Sequence, residues 1–323
     1  MATNDPAAKR TIGERLQSVN RLTLYGILIV LTSVPHFFHM KMPNKPVDAT
    51  MDLFRAFMNL PQGSTVLIQT DWTTSTRGES GGQMEALLRI LMRKEIKFAI
   101  FSCADPQAPQ VARNVIASIN AERRESGERP WDRWNDWIDL GYFPNAEGTN
   151  NAIATNLRQA FAGREDVTPE GVSRDVFRSP VLSNVRNVKD LSMYIIVTAS
   201  ATFNVAVERL SKVIPMGAMV TGVMGPESLV YYESGQIVGL SAGLKGVYDL
   251  ETMMEAGVNV ADPAGHIAVR AGKFDDEIRA FPGAVNEGKG TSYYPTLHFA
   301  IGLMVLAIIV GNIGMFLSRR RRA

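Results

Sequence analysis

Residues 297–318 read LHFAIGLMVLAIIVGNIGMFLS, without one Asp, Glu, Lys or Arg, and Arg319, Arg320, Arg321 and Arg322 follow directly. An apolar run of about 20 residues is the length that a helix needs to cross the hydrocarbon core of a bilayer. Tyr293 and Tyr294 precede it, where aromatic side chains favour the membrane interface. A transmembrane helix over 296–318 is therefore expected. A second charge-free stretch, 22–40, reads LTLYGILIVLTSVPHFFHM. Pro35 should kink or end a helix there. No small-residue cleavage site follows, so this stretch is expected to stay as a second span rather than be removed as a signal peptide.

Charge orients the two spans. The net charge is +2, but residues 1–21 carry +2 and the final arginines +4, so the region between the spans sums to −4. Basic flanks stay on the cytoplasmic side. This reading puts the basic tail 1–21 and the Arg-rich tail 319–323 in the cytoplasm and the middle outside it. Lys41 and Lys45, just past the first span, act against it. The acidic middle has no basic footprint for nucleic acid, and membrane lipid is the expected surroundings of the spans. One cysteine, Cys103, excludes an intrachain disulfide and a cysteine zinc site. The only histidines are His36, His39, His266 and His298. No metal and no cofactor is expected.

The middle alternates apolar runs with helical patterns. Strands are expected at 64–70, 97–102, 139–142, 193–199, 218–224 and 236–240. Helices are expected at 84–92, from 108 to 119, at 151–161, 202–210, 226–232 and 246–255. Residues 121–129 and 163–190 read as loops, and 259–295 as a tether. This alternation implies a doubly wound, mostly parallel sheet of five or six strands over 46–258, an α/β domain flanked by two transmembrane helices.

Three stretches carry a resemblance. The run from Asp71 through GESGGQMEALLRILMRKEIKFAIFS, the later LGYFPN, and YYESGQIVGLSAGLKGVYDLE resemble parts of an uncharacterised group of prokaryotic membrane proteins. In that group two spans flank an α/β domain. The resemblance covers about half the chain; it implies the architecture and no activity, so no catalytic residue is carried over.

In such a sheet, ligands bind outside the carboxyl ends of the strands. The loop DWTTSTRGESGGQ after the first strand is the natural place. It offers Asp71, Arg77, Glu79, Ser80, Gly81 and Gly82 as ligand-binding candidates, because glycines admit a close ligand and a helix N-terminus offers free N–H groups to an anion. The alternative is an ordinary loop with Ser80 capping the next helix. Cys103 lies too far in sequence type from a usable base: His266, in the tether, is the one histidine away from the spans, so a buried inert thiol is expected. Two of the carboxylates Asp71, Glu79, Glu85, Asp105, Glu147, Glu227 and Glu233 could form an acid–base pair across the sheet's carboxyl edge, but solvated charge is the default.

Trp131, Trp134 and Trp137 recur every three residues. On a helix they would share one face, covering the core, lying at the lipid interface, or stacking on a flat ligand. In the last span, Ala307 and Gly311 are small and four apart, beside Asn312, a pattern that suits helix–helix contact. Together these features favour assembly or partner binding, with a homo-oligomer or another membrane protein as the partner, over catalysis. A small-molecule sensor using the Asp71 loop and a carboxylate-dependent hydrolase are the alternatives.

Overall fold

The structure is a computed structural model that describes residues 16, 18–38, 40, 42–259, 277–278, 281 and 284–320. His39, Lys41, His266, Arg321 and Arg322, most of the basic tail, and most of the expected tether lie outside the described residues. The chain forms two compact units, 1–43 with 291–323 and 44–290.

The α/β unit is built on six parallel strands: β1 (Thr65–Asp71), β2 (Lys97–Ser102), β3 (Trp137–Tyr142), β6 (Met193–Thr198), β7 (Met216–Val220) and β8 (Gly239–Ala242). Their order in the sheet is β3-β2-β1-β6-β7-β8, and all five pairings are parallel. A separate two-stranded ribbon, β4 (Glu165–Val167) with β5 (Ser173–Asp175), occupies part of the stretch expected to be loop. Every residue of β1, β6 and β7 is buried, as expected of strands covered on both faces.

Strand order decides where the helices go. From β1 to β3 the chain moves one way across the sheet, so right-handed crossovers place α3 (Ser80–Arg93) and α4 (Ala108–Glu125) on one face. It then returns past β1 to β6 and moves the other way. The same handedness now places α5 (Ala146–Thr155), α6 (Leu157–Ala160), α7 (Thr202–Leu210) and α8 (Gly225–Glu233) on or beside the opposite face. The first face is completed by α2 (Asp48–Met58) and α9 (Gly243–Ala256), which bring Phe54, Phe57, Leu250 and Met254 into its core.

Three expectations change. The helix expected to end near residue 119 runs on to Glu125, because Glu122 is held by Arg89 (2.9 Å) instead of lying in a loop. The helix expected over 151–161 is two, because Asn156 is extended at φ −153° and caps the second by accepting from the Gln159 amide at 3.1 Å. The three tryptophans do not lie on a helix. Asn120 holds Trp131 by both its amide (2.8 Å) and its carbonyl (2.9 Å). Asp136 accepts from the Asp132 amide at 2.8 Å, and Trp134 turns the chain at φ +81°. Trp131 and Trp137 both stack with Phe98, while Trp134 enters the opposite core. Their exposures of 4%, 7% and 6% for Trp131, Trp134 and Trp137 make all three core residues, not a lipid-facing or ligand-stacking stripe.

In the other unit, α1 (Arg21–Phe37) is apolar and includes Pro35, two residues before its end. Its 17 residues span about 26 Å at 1.5 Å each. The last helix, α10 (Lys289–Arg320), begins in the α/β unit and contains an apolar window long enough to cross a membrane; it is the single helix among the described residues that meets that length. Within this unit Thr296 Oγ1 donates to the Thr32 carbonyl at 3.4 Å, and the His36 and Tyr293 rings meet edge to face at 5.9 Å.

Candidate functional site at the carboxyl edge of the sheet

The order of the strands reverses between β1 and β6, so the carboxyl ends of those two strands frame the crevice where doubly wound folds bind ligands. Asp71 is the last residue of β1 and is buried. Its Oδ1 accepts from Ser102 Oγ (2.9 Å), the Cys103 amide (2.7 Å) and the Ala104 amide (3.2 Å). Its Oδ2 accepts from Gln69 Nε2. Gln69 in turn accepts from the Tyr194 hydroxyl, which also reaches Asn150 Oδ1 at 3.0 Å. Asp71 thus ties the ends of β1 and β2 together at the head of a buried polar chain running through β6 to α5. The hydroxyl of Tyr194 is held far into the protonated form by burial. Burial, then the Asp71 charge, pushes the Cys103 thiol up to about 12. A thiol held protonated is a poor nucleophile.

The rest of the loop is distributed, not convergent. Glu79 accepts from the Gly222 amide at 2.7 Å, bridging to the segment just past β7. Gln83 Nε2 donates to the Val220 carbonyl at 2.6 Å, fixing α3 over the same strand. Ser80 is buried, and its hydroxyl makes no capping bond. The two glycines are packing residues. A Cβ at Gly82 would lie 3.0 Å from Lys289 Cβ and 3.3 Å from Val247, and one at Gly81 3.1 Å from Lys289 Nζ. The space that could have cradled a ligand is filled by α9 and the start of α10. Arg77 is exposed.

The other carboxylates are spread around the molecule. Glu85 pairs with Lys289 at 2.5 Å and Glu147 with Arg209; Glu227 accepts from Asn204 at 2.7 Å, and Asp105 caps the Gln107 amide at 2.7 Å. Among the described residues no group of three or more His, Cys, Asp and Glu is placed to hold a metal ion.

Sequence reasoning passed over two features. A surface depression of about 560 Å³ runs along α5 and α6, lined by uncharged residues that include Asn145, Thr149, Asn151, Asn156 and Gln159. Its signal was the amide-rich run NAEGTNNAIATN, which reads as a helix with polar decoration. Residues Val223, Leu229 and Val230, just beyond β7, are exposed, Val223 at 93%. In α10, Ala307 and Gly311 lie on a half-buried strip, whereas Asn312 is exposed.

No protein-family model and no curated protein matches this chain.

Proposed function

We propose that this chain is a membrane-anchored α/β domain that acts by assembly and partner binding, as a homo-oligomer held in the bilayer by α10 and by α1 as a second, shorter span. The observation that carries the reading is the state of the Asp71 carboxylate. It sits where a doubly wound enzyme keeps its reacting groups, yet its oxygens accept four hydrogen bonds that join strands and loops. The titratable side chains beside it, Cys103 and Tyr194, are held protonated. Chemistry at this edge is spent on the fold. What the surface offers instead is apolar area, on α10 and at Val223, Leu229 and Val230, of the kind that marks interaction sites. With basic residues at both ends of the chain, the termini are cytoplasmic and the domain extracytoplasmic.

Native mass spectrometry of the full chain, released gently from membranes, tests this. The expected result is a discrete homo-oligomer without a retained small molecule. A strict monomer with no partner overturns the reading. A reproducible small-molecule mass overturns it in favour of a sensor, for which the amide-lined depression along α5 and α6 is the site.

A further inference from the structure

The charge-free window of α10 holds three side chains that need hydrogen bonds: His298, Asn312 and Ser318. His298 Nδ1 bonds the Tyr294 carbonyl at 3.0 Å, and Ser318 also has a partner. Asn312 has none among the described residues and is exposed. It does not point toward the half-buried strip of Ala300, Leu303, Ala307 and Gly311. It lies instead on a different seam, His298, Ile301, Val305, Ile308, Asn312 and Met315, whose spacing alternates three and four and whose every member is exposed.

We propose that this seam is where α10 pairs with α10 of a second copy of the chain, and that Asn312 is the contact that fixes the pair. This rests on the homo-oligomeric reading above and names the surface. Spacing of three and four over several turns is the pattern by which helices supercoil in pairs, and one Asn in such a seam sets register and oligomer state. A carboxamide has two donors and an acceptor, and lipid chains satisfy none of them. Two copies inserted the same way carry Asn312 at the same depth. The carboxamide is its own complement there, each donating to the other's oxygen, as polar side chains do across membrane helices. Ile308 and Met315 flank the pair above and below and close it from lipid.

The test is self-association of the full chain in vesicles of zwitterionic lipid, read by energy transfer between labelled copies as the protein-to-lipid ratio is varied. Asn312→Val should weaken association about threefold to tenfold, the range measured for polar contacts between membrane helices, and Asn312→Gln should retain it. In a Cys103→Ala background, Asn312→Cys should crosslink on oxidation, and Ile309→Cys, exposed but off the seam, should not. Unchanged association of Asn312→Val, or equal crosslinking at 309, overturns the proposal while leaving assembly itself intact. A wild-type chain that stays monomeric at every density overturns both.

Discussion

Cys103 shows how one residue's surroundings set what it can do. Its position at the end of β2 is where a nucleophile would sit, but burial and the Asp71 carboxylate raise its pKa from the usual value near 9.0 to about 12. The raised value means that the folded state holds the proton longer than the unfolded state. The stability this gives is complete below pH 9 and is lost as pH rises toward 12, by at most about 1.4 kcal/mol per pH unit. Tyr194 acts in the same direction at higher pH, because burial raises it too. Cys103→Ala should therefore flatten the pH dependence of stability between pH 9 and 11 without removing it. Urea unfolding at several pH values measures this, and superimposable slopes for the two proteins would rule the explanation out. The inert thiol was legible in the sequence from the missing histidine partner. Three of the four bonds to Asp71 were not, since they join residues 31 to 33 positions apart that only the β1–β2 pairing brings together.

Elements were legible where burial imposes a period. The strands of the sheet and the helix over 202–210 follow from runs and stripes, because each packs through one continuous face. Helix α2 was not read at all. Its residues Ala49 through Phe57 are all buried, and Asp52 and Arg55 are buried with them as an ion pair at 2.9 Å, with Tyr232 donating to Asp52 at 2.6 Å. Asp48, Asp52 and Arg55 recur at i, i+4 and i+7, so the period is present in the sequence, but two of the three are buried rather than solvated. The tryptophan run failed in the opposite way, since a spacing of three imitates a helix while Pro130 and the Asn120 and Asp136 side chains fold it into a turn. The placement of α2 makes its own prediction. It lies so close to β8 that a Cβ on Gly239 would stand 2.5 Å from Leu53 Cα. Backbone cannot yield as a side-chain tip can, so Gly239→Ala should cost about 3 kcal/mol or more, at the upper end of overpacking penalties. Gly78→Ala, with open space around it, should stay within about 0.5 kcal/mol of wild type. Thermal melts of the two variants compare them directly; equal stabilities would mean that α2 does not seat on β8 as described.

At the scale of the whole chain, the α/β unit closes on both its ends through one helix. Asp249 of α9 accepts from Asn44 Nδ2 at 2.8 Å and from the Val47 amide at 3.0 Å. Two residues on, Glu251 accepts from the Gly290 amide at 2.9 Å. Between these, Asn286 is buried and bonds Arg93 (2.7 Å) and Glu255 (2.5 Å), and Lys289 pairs with Glu85. Residues 284–290, which composition marks as tether, are therefore part of the folded unit, because they bond the buried Glu251, the half-buried Glu85 and Arg93, and Glu255 on α3 and α9, which sequence alone does not connect. A fragment ending at 258 would leave Arg93, Glu251 and Glu85 without these partners. Glu251 is buried and Arg93 and Glu85 are half-buried, so losing these partners costs roughly 1–3 kcal/mol in total, and the fragment 44–258 should unfold at lower urea than 44–290. The longer fragment should also be monomeric by light scattering without detergent, because the seam assigned to self-association lies outside it. If 44–290 assembles as the full chain does, the assembling surface belongs to the α/β domain, and the exposed Val223, Leu229 and Val230 become the first residues to change. If it is monomeric while the full chain is not, assembly belongs to the membrane helices.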